Sequence, residues 1–114
     1  MNEIYEVIQS FNEYLEKLPQ GCLSIANMLR GDNIELAMLN IYSFSEGIAW
    51  LEEAVILLNK NDIDYKFDFK DILYFFEKIN EGIEQKNYTE IATIFEDTVS
   101  HFFSTIEPIS QLRN

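Results

Sequence analysis

Cysteine occurs once, at Cys22, so the chain can form no internal disulfide and no thiolate-based zinc site. A reducing compartment suits such a chain. Histidine also occurs once, at His101, which rules out a ferritin-like di-iron centre, since that needs two Glu-x-x-His pairs and Thr98 precedes His101 by three. The four glycines, Gly21, Gly31, Gly47 and Gly82, form no phosphate-cradling loop and no nucleophile elbow. Basic residues are scarce: eight Lys and Arg face twenty Asp and Glu, for a net charge of −12. That balance opposes binding to nucleic acid and to anionic membranes, both of which depend on cations neutralising phosphate. Its simplest meaning is a solvated surface; its sharper one is a basic protein partner.

Long apolar runs are missing too. No segment of about 18 apolar residues exists, and the start, MNEIYEVIQSFNEY, has neither a basic n-region nor a continuous apolar stretch. A cytoplasmic protein is expected, in which the glycosylation sequon Asn87-Tyr88-Thr89 has no meaning. A faint calcium-loop echo from Asp62 fails because Lys66, Phe67 and Leu73 hold positions that need an oxygen ligand, glycine and glutamate. The adjacent carboxylates Glu52-Glu53 and Glu96-Asp97 point about 100° apart on a helix and read as surface. No cofactor site and no catalytic constellation emerges, and an enzyme is not expected.

What is present is helical periodicity. Ile4, Ile8, Phe11, Leu15, Leu18, Cys22, Ile25 and Leu29 alternate steps of four and three. Pro19 and Gly21 interrupt that segment locally, yet the rhythm keeps phase across them, which predicts one kinked helix in preference to two. Cys22 then belongs to the core, with an inert thiol. Gly31 should cap this helix and Asp32 or Asn33 should start the next. The second helix, about 33 to 59, steps Ala37, Ile41, Phe44, Ile48, Leu51, Val55, Leu58 without a break. From Ile63 to Phe69 apolar and charged residues alternate strictly, which suits either an extended connection over the end of a bundle or a strand pairing with a copy or a peptide. Asp68 should cap a third helix through Ile72, Phe76, Ile79 and Ile83, ending near Lys86-Asn87 with Asn87 left-handed. A fourth, from about Thr89, carries Ile91, Phe95, Val99 or Phe102, and Ile106, with Pro108 at its last turn.

Four helices with short connections predict a single all-α domain over residues 1–114, an antiparallel up-down-up-down four-helix bundle with a kinked first helix. The first two helices exceed the others by about two turns, so their shared end should project unless the bend at Pro19 folds it back.

Helix two has a second apolar stripe, roughly 160° from the first, along Leu36, Leu39, Trp50, Ala54 and Leu57. Ser43 and Gly47 lie between these large residues and would let another backbone come close. Leu36, Leu39, Ser43, Gly47, Trp50, Ala54 and Leu57 are therefore the candidate interaction residues, covered either by the flanking helices or by another chain. The expected partner is a protein or a second copy, with a homodimer favoured. Tyr14, Tyr42, Tyr74 and Phe103 fall off or at the edge of their apolar faces and are further candidate anchors. His101 falls at the border of its helix's apolar face; a phosphotransfer role would call for a lysine and a small residue just after it, where Phe102 and Phe103 stand.

The segments EGIAWLEEAVILLN (Glu46 to Asn59) and KNYTEIATIFEDTV (Lys86 to Val99) resemble small acidic helical-bundle proteins of AT-rich Gram-positive bacteria whose function is uncharacterised. More loosely, the whole chain looks like flagellar export chaperones, cytoplasmic bundles that hold a client helix until secretion. The resemblance implies a non-enzymatic interaction module, an adaptor or chaperone, and carries no site residues. The alternative expectation is an acidic immunity protein or antitoxin that masks a basic toxin.

Overall fold

The computed structural model describes residues 2–110, and over these the chain is an all-α four-helix bundle. Helix α1 (Asn2–Arg30) and helix α2 (Ile34–Lys60) form an antiparallel hairpin, followed by α3 (Phe69–Glu84) and a composite α4 over residues 88–104. The parts of α4 are an α-segment Tyr88–Thr93, a π-segment Ile94–Val99 and an α-segment Ser100–Ser104. No strand occurs among the described residues.

The 4,3 stripes do form the core. From Ile8 to Leu29 in α1 and from Ala37 to Leu58 in α2, every stripe residue is buried, Cys22 included. Helix α1 runs unbroken through Pro19, because packing along its length outweighs the one backbone donor that proline removes. Close backbone approaches join α1 to α2, α1 to α4 and α3 to α4. Between α2 and α3 the space is filled by rings: Phe44 lies 5.7 Å from Phe76, 5.4 Å from Phe95 and 6.1 Å from Phe103, centroid to centroid.

Helix α4 departs from the sequence expectation. Its buried stripe is Ile91, Phe95, Val99, Phe103, a run of fours in which Phe103 replaces the expected Phe102 and is core instead of edge. In a straight α-helix each step of four overshoots by roughly 40°, so the stripe would wind off the core. The wider turn, in which Ser100 N–H donates to Phe95 O, offsets that rotation and keeps all four side chains inward.

The helix exits also differ in detail. Asp32, Asp62 and Lys86 carry the left-handed conformation, with φ of 65°, 65° and 55°. In each case the next amide donates six residues back: Asn33 N to Met28 O (3.1 Å), Ile63 N to Leu58 O (3.0 Å) and Asn87 N to Gly82 O (2.8 Å). The left-handed position thus falls one residue after Gly31, and at Lys86 instead of Asn87. Asn87 serves the following helix, where its side chain accepts from Glu90 N at 3.3 Å and donates to Glu90 Oε2 at 2.8 Å. Asp68 caps α3 as expected, accepting from Lys70 N.

The overhang lies at the opposite end from the one expected. At the α1–α2 turn the four helices are level: Leu29, Ala37, Gly82 and Ile91 are all buried. The excess length projects at the other end, where two non-helical segments cover it. The connection 61–68 lays Tyr65 edge-on to Phe11 at 5.4 Å and Phe67 edge-on at 6.4 Å, so the alternating segment is an unpaired cover over the bundle end. Residues 106–110, including Pro108, form the second cover and do not extend α4. Asn12 Oδ1 accepts from Ile109 N at 2.8 Å, Asn12 Nδ2 donates to Ile109 O at 3.0 Å, and Ile109 is buried. Tyr65 Oη donates to Glu107 O at 2.8 Å and joins the two covers.

Two helical glycines should respond oppositely to alanine. A Cβ at Gly21 meets nothing within 4 Å, so Gly21→Ala should stabilise by about 1 kcal/mol through helix propensity. A Cβ at Gly82 would press on the buried Ile91 side chain, so Gly82→Ala should destabilise by about 1–3 kcal/mol. Urea unfolding of the two variants checks the sign. Lys86→Gly should stabilise by about 1 kcal/mol in the same assay, because lysine lacks glycine's ease at positive φ.

Candidate interaction surface

Helix α2 turns one side to the core and leaves the other largely apolar and open. Leu39 is 65% exposed, and Leu36, Ser43 and Leu57 are exposed with it. Tyr42 and Ile56 extend the open apolar surface of the same helix, and on α3 Leu73 and Tyr74 are exposed. Lys78 Nζ lies 5.6 Å from the Tyr74 ring centre, a cation–π contact that occupies that ring's face.

Two of the candidate residues do not belong to this open surface. Ala54 is 4% exposed and packs into the core, because its angle on α2 brings it to the α1 side. Gly47 is half-buried beneath Tyr14, whose ring and hydroxyl occupy the space a Cβ would take. The small residue at position 47 is thus used inside the chain, by a tyrosine 33 places earlier, to seat α1 on α2. Tyr14 is accordingly part of the helix pairing and not a free anchor. Burial, and secondarily the neighbouring Cys22, push its phenol above the ordinary range.

Trp50 links the two regions. It stands 38% exposed, with its ring edge-on to Tyr14 at 6.2 Å and tilted against Phe11 at 6.4 Å. Between α1 and α2, just along from this cluster, lies a groove of about 330 Å³ lined by Leu18, Gly21, Ile25, Ser43 and Phe44, with Lys17 and Asn40 at its margin. Sequence reasoning did not find this groove, since it depends on the register between the two helices. The pairing of Gly21 with Ser43 across the hairpin is the signal that could have pointed to it.

Charge on the outward face has one sign. Glu35, Glu46 and Glu53 are exposed and fall within about 20° of one line along α2, beside Leu39 and Leu57. The cations of α1 and α2 are Lys17, Arg30 and Lys60. Arg30 is engaged with Glu96 at 3.0 Å, and Lys60 lies in the last turn of α2, which leaves Lys17 at the groove.

Reactive groups are not assembled here. Among the described residues no three of His, Cys, Asp and Glu come together as a metal site, and no helix is long and apolar enough to cross a membrane. His101 stands exposed on α4, followed by half-buried Phe102 and buried Phe103. Cys22 is fully buried, and burial pushes its thiol up to about 12.

The architecture defines the chain as an all-α helical bundle with an open apolar helix face. It belongs to a family described as a domain of unknown function, DUF8042, whose model matches residues 6–109. No curated protein and no solved structure matches the chain significantly.

Cys22 should be inert to thiol reagents at pH 8 in the native protein and should react fully in denaturant. Its thiol ionises near 9.0 when free and near 12 when folded, so the unfolded chain holds fewer protons between those values. Stability should therefore be intact below pH 9 and fall as pH rises toward 12, with Cys22→Ala showing a shallower loss in pH-dependent melting.

Proposed function

We propose that this chain is a non-enzymatic protein-interaction module, an adaptor or chaperone-like bundle working in a reducing compartment such as the cytoplasm. It would meet its partner through the outward face of α2. The observation that carries this reading is the exposure of Leu36, Leu39 and Leu57 along one helix, in line with the half-covered Trp50. Isolated exposed leucines are ordinary on a protein surface, but a line of them the length of a helix costs stability and solubility unless something covers it. Partly exposed tryptophan and tyrosine beside such a line are the residue types that anchor interfaces. A symmetric dimer through this face would bring the glutamate lines of two copies together, so self-association is the less favoured use. The acidic surface also suits the second reading, an immunity protein or antitoxin for a basic toxin; that contact would run through carboxylates and weaken steeply with salt.

A photo-crosslinking side chain at Leu39 or Leu57 should give a discrete protein adduct in cells that make the protein, and one at Thr98 on α4 should not. Absence of adducts from the α2 positions, or the same adducts from both faces, would count against the reading.

A further inference from the structure

Resting on the reading of α2 as an interaction surface, we propose that its occupant is a basic amphipathic helix of another protein, with one large apolar side chain seated between α1 and α2 over Gly21. Three features of the face select that partner. The groove is floored by Leu18, Ile25 and Phe44 and measures about 330 Å³, the small end of the range for binding pockets and of a size for a side chain. Its volume exists because Gly21 has no side chain: the position a Cβ would occupy has nothing within 4 Å. Leu36, Leu39 and Leu57 continue the apolar contact along α2, as helix-in-groove recognition requires anchors spaced over several turns.

Charge then decides between occupants. Glu35, Glu46 and Glu53 run beside these leucines, and Lys17 is the cation at the groove margin. A second copy would set this line against its own image around a two-fold axis, glutamate against glutamate. An acidic or neutral helix would leave the carboxylates unpaired at the rim. A helix carrying Lys or Arg on both sides of an apolar stripe pairs with them and fills the groove at once.

The test uses the intact chain and a synthetic helix of leucine and lysine, about six turns long, with leucine on one face. Binding is followed by calorimetry and by the fluorescence of Trp50, the chain's one tryptophan. A shuffled peptide of the same composition, which has the charge but no apolar face, should bind about tenfold more weakly or worse. Gly21→Leu, which fills the groove without altering any charge, should weaken binding of the amphipathic peptide by about tenfold while melting no lower than the wild type. Equal affinity for the shuffled peptide, unchanged affinity in Gly21→Leu, or no binding at all overturns the proposal. Sedimentation separates this failure from that of the interaction reading. A stable dimer broken by Leu39→Glu would give the face to a second copy, overturning the basic-helix occupant while leaving α2 as the contact surface.

Discussion

Unequal helix length is the constraint on which the rest of this structure depends. The α1–α2 hairpin is built from helices of 29 and 27 residues, about 40 Å each, whereas α3 has 16 and spans about 24 Å. Four helices can share a core only over the shorter length. Beyond it, Phe11 and its neighbours in α1 need cover from something that is not a helix. The alternating segment from Ile63 to Phe69 meets that need with aromatic side chains on one side and charges on the other. The segment ending at Ile109 meets it with backbone groups held by Asn12. The resulting body, 47 × 22 × 21 Å, is elongated along α1 and α2, which gives α2 an outward face longer than its neighbours can screen.

The stripes of α1 and α2 were legible in the sequence because a 4,3 rhythm over many turns has one structural solution. The bundle follows from those stripes and from short connections. What could not be read were features created by residues distant along the chain. Asn12 and Ile109 are 97 positions apart, and nothing near either foretells their two hydrogen bonds. The cover of Gly47 by Tyr14 is of the same kind, and it removed one residue from the candidate surface. Ala54 was removed for a subtler reason. It lies at the boundary between the core and outward sides of α2, and only the placement of α1 decides which side owns it. The π-segment was invisible because an α-helical period was assumed in choosing between Val99 and Phe102.

Leu36, Leu39, Ser43 and Leu57 lie on the outward surface that the sequence pattern indicated, with Trp50 at its border. The groove over Gly21 was not visible beforehand, since it needs the α1–α2 register. Hydrophobic and electrostatic features coincide on this face: the helix that has the most uncovered leucine also carries a line of glutamates. The first would drive association with almost any apolar surface. The second restricts which surfaces can approach, including further copies of the same protein, and so limits aggregation at the concentrations a cell maintains.

The π-segment Ile94–Val99 makes the numbering of α4 part of its structure. A π-turn holds one residue more than the α-turn it replaces, so losing a single residue there would restore ordinary helix and leave every hydrogen bond of α4 available. Yet everything downstream would rotate by about 100° and shift by about 1.5 Å. Phe103 would leave the core, and Ile109 would no longer reach Asn12. Helix α4 is therefore tolerant of substitution on its exposed side but intolerant of insertion or deletion. In a set of related chains its length between Ile91 and Phe103 should vary less than its composition.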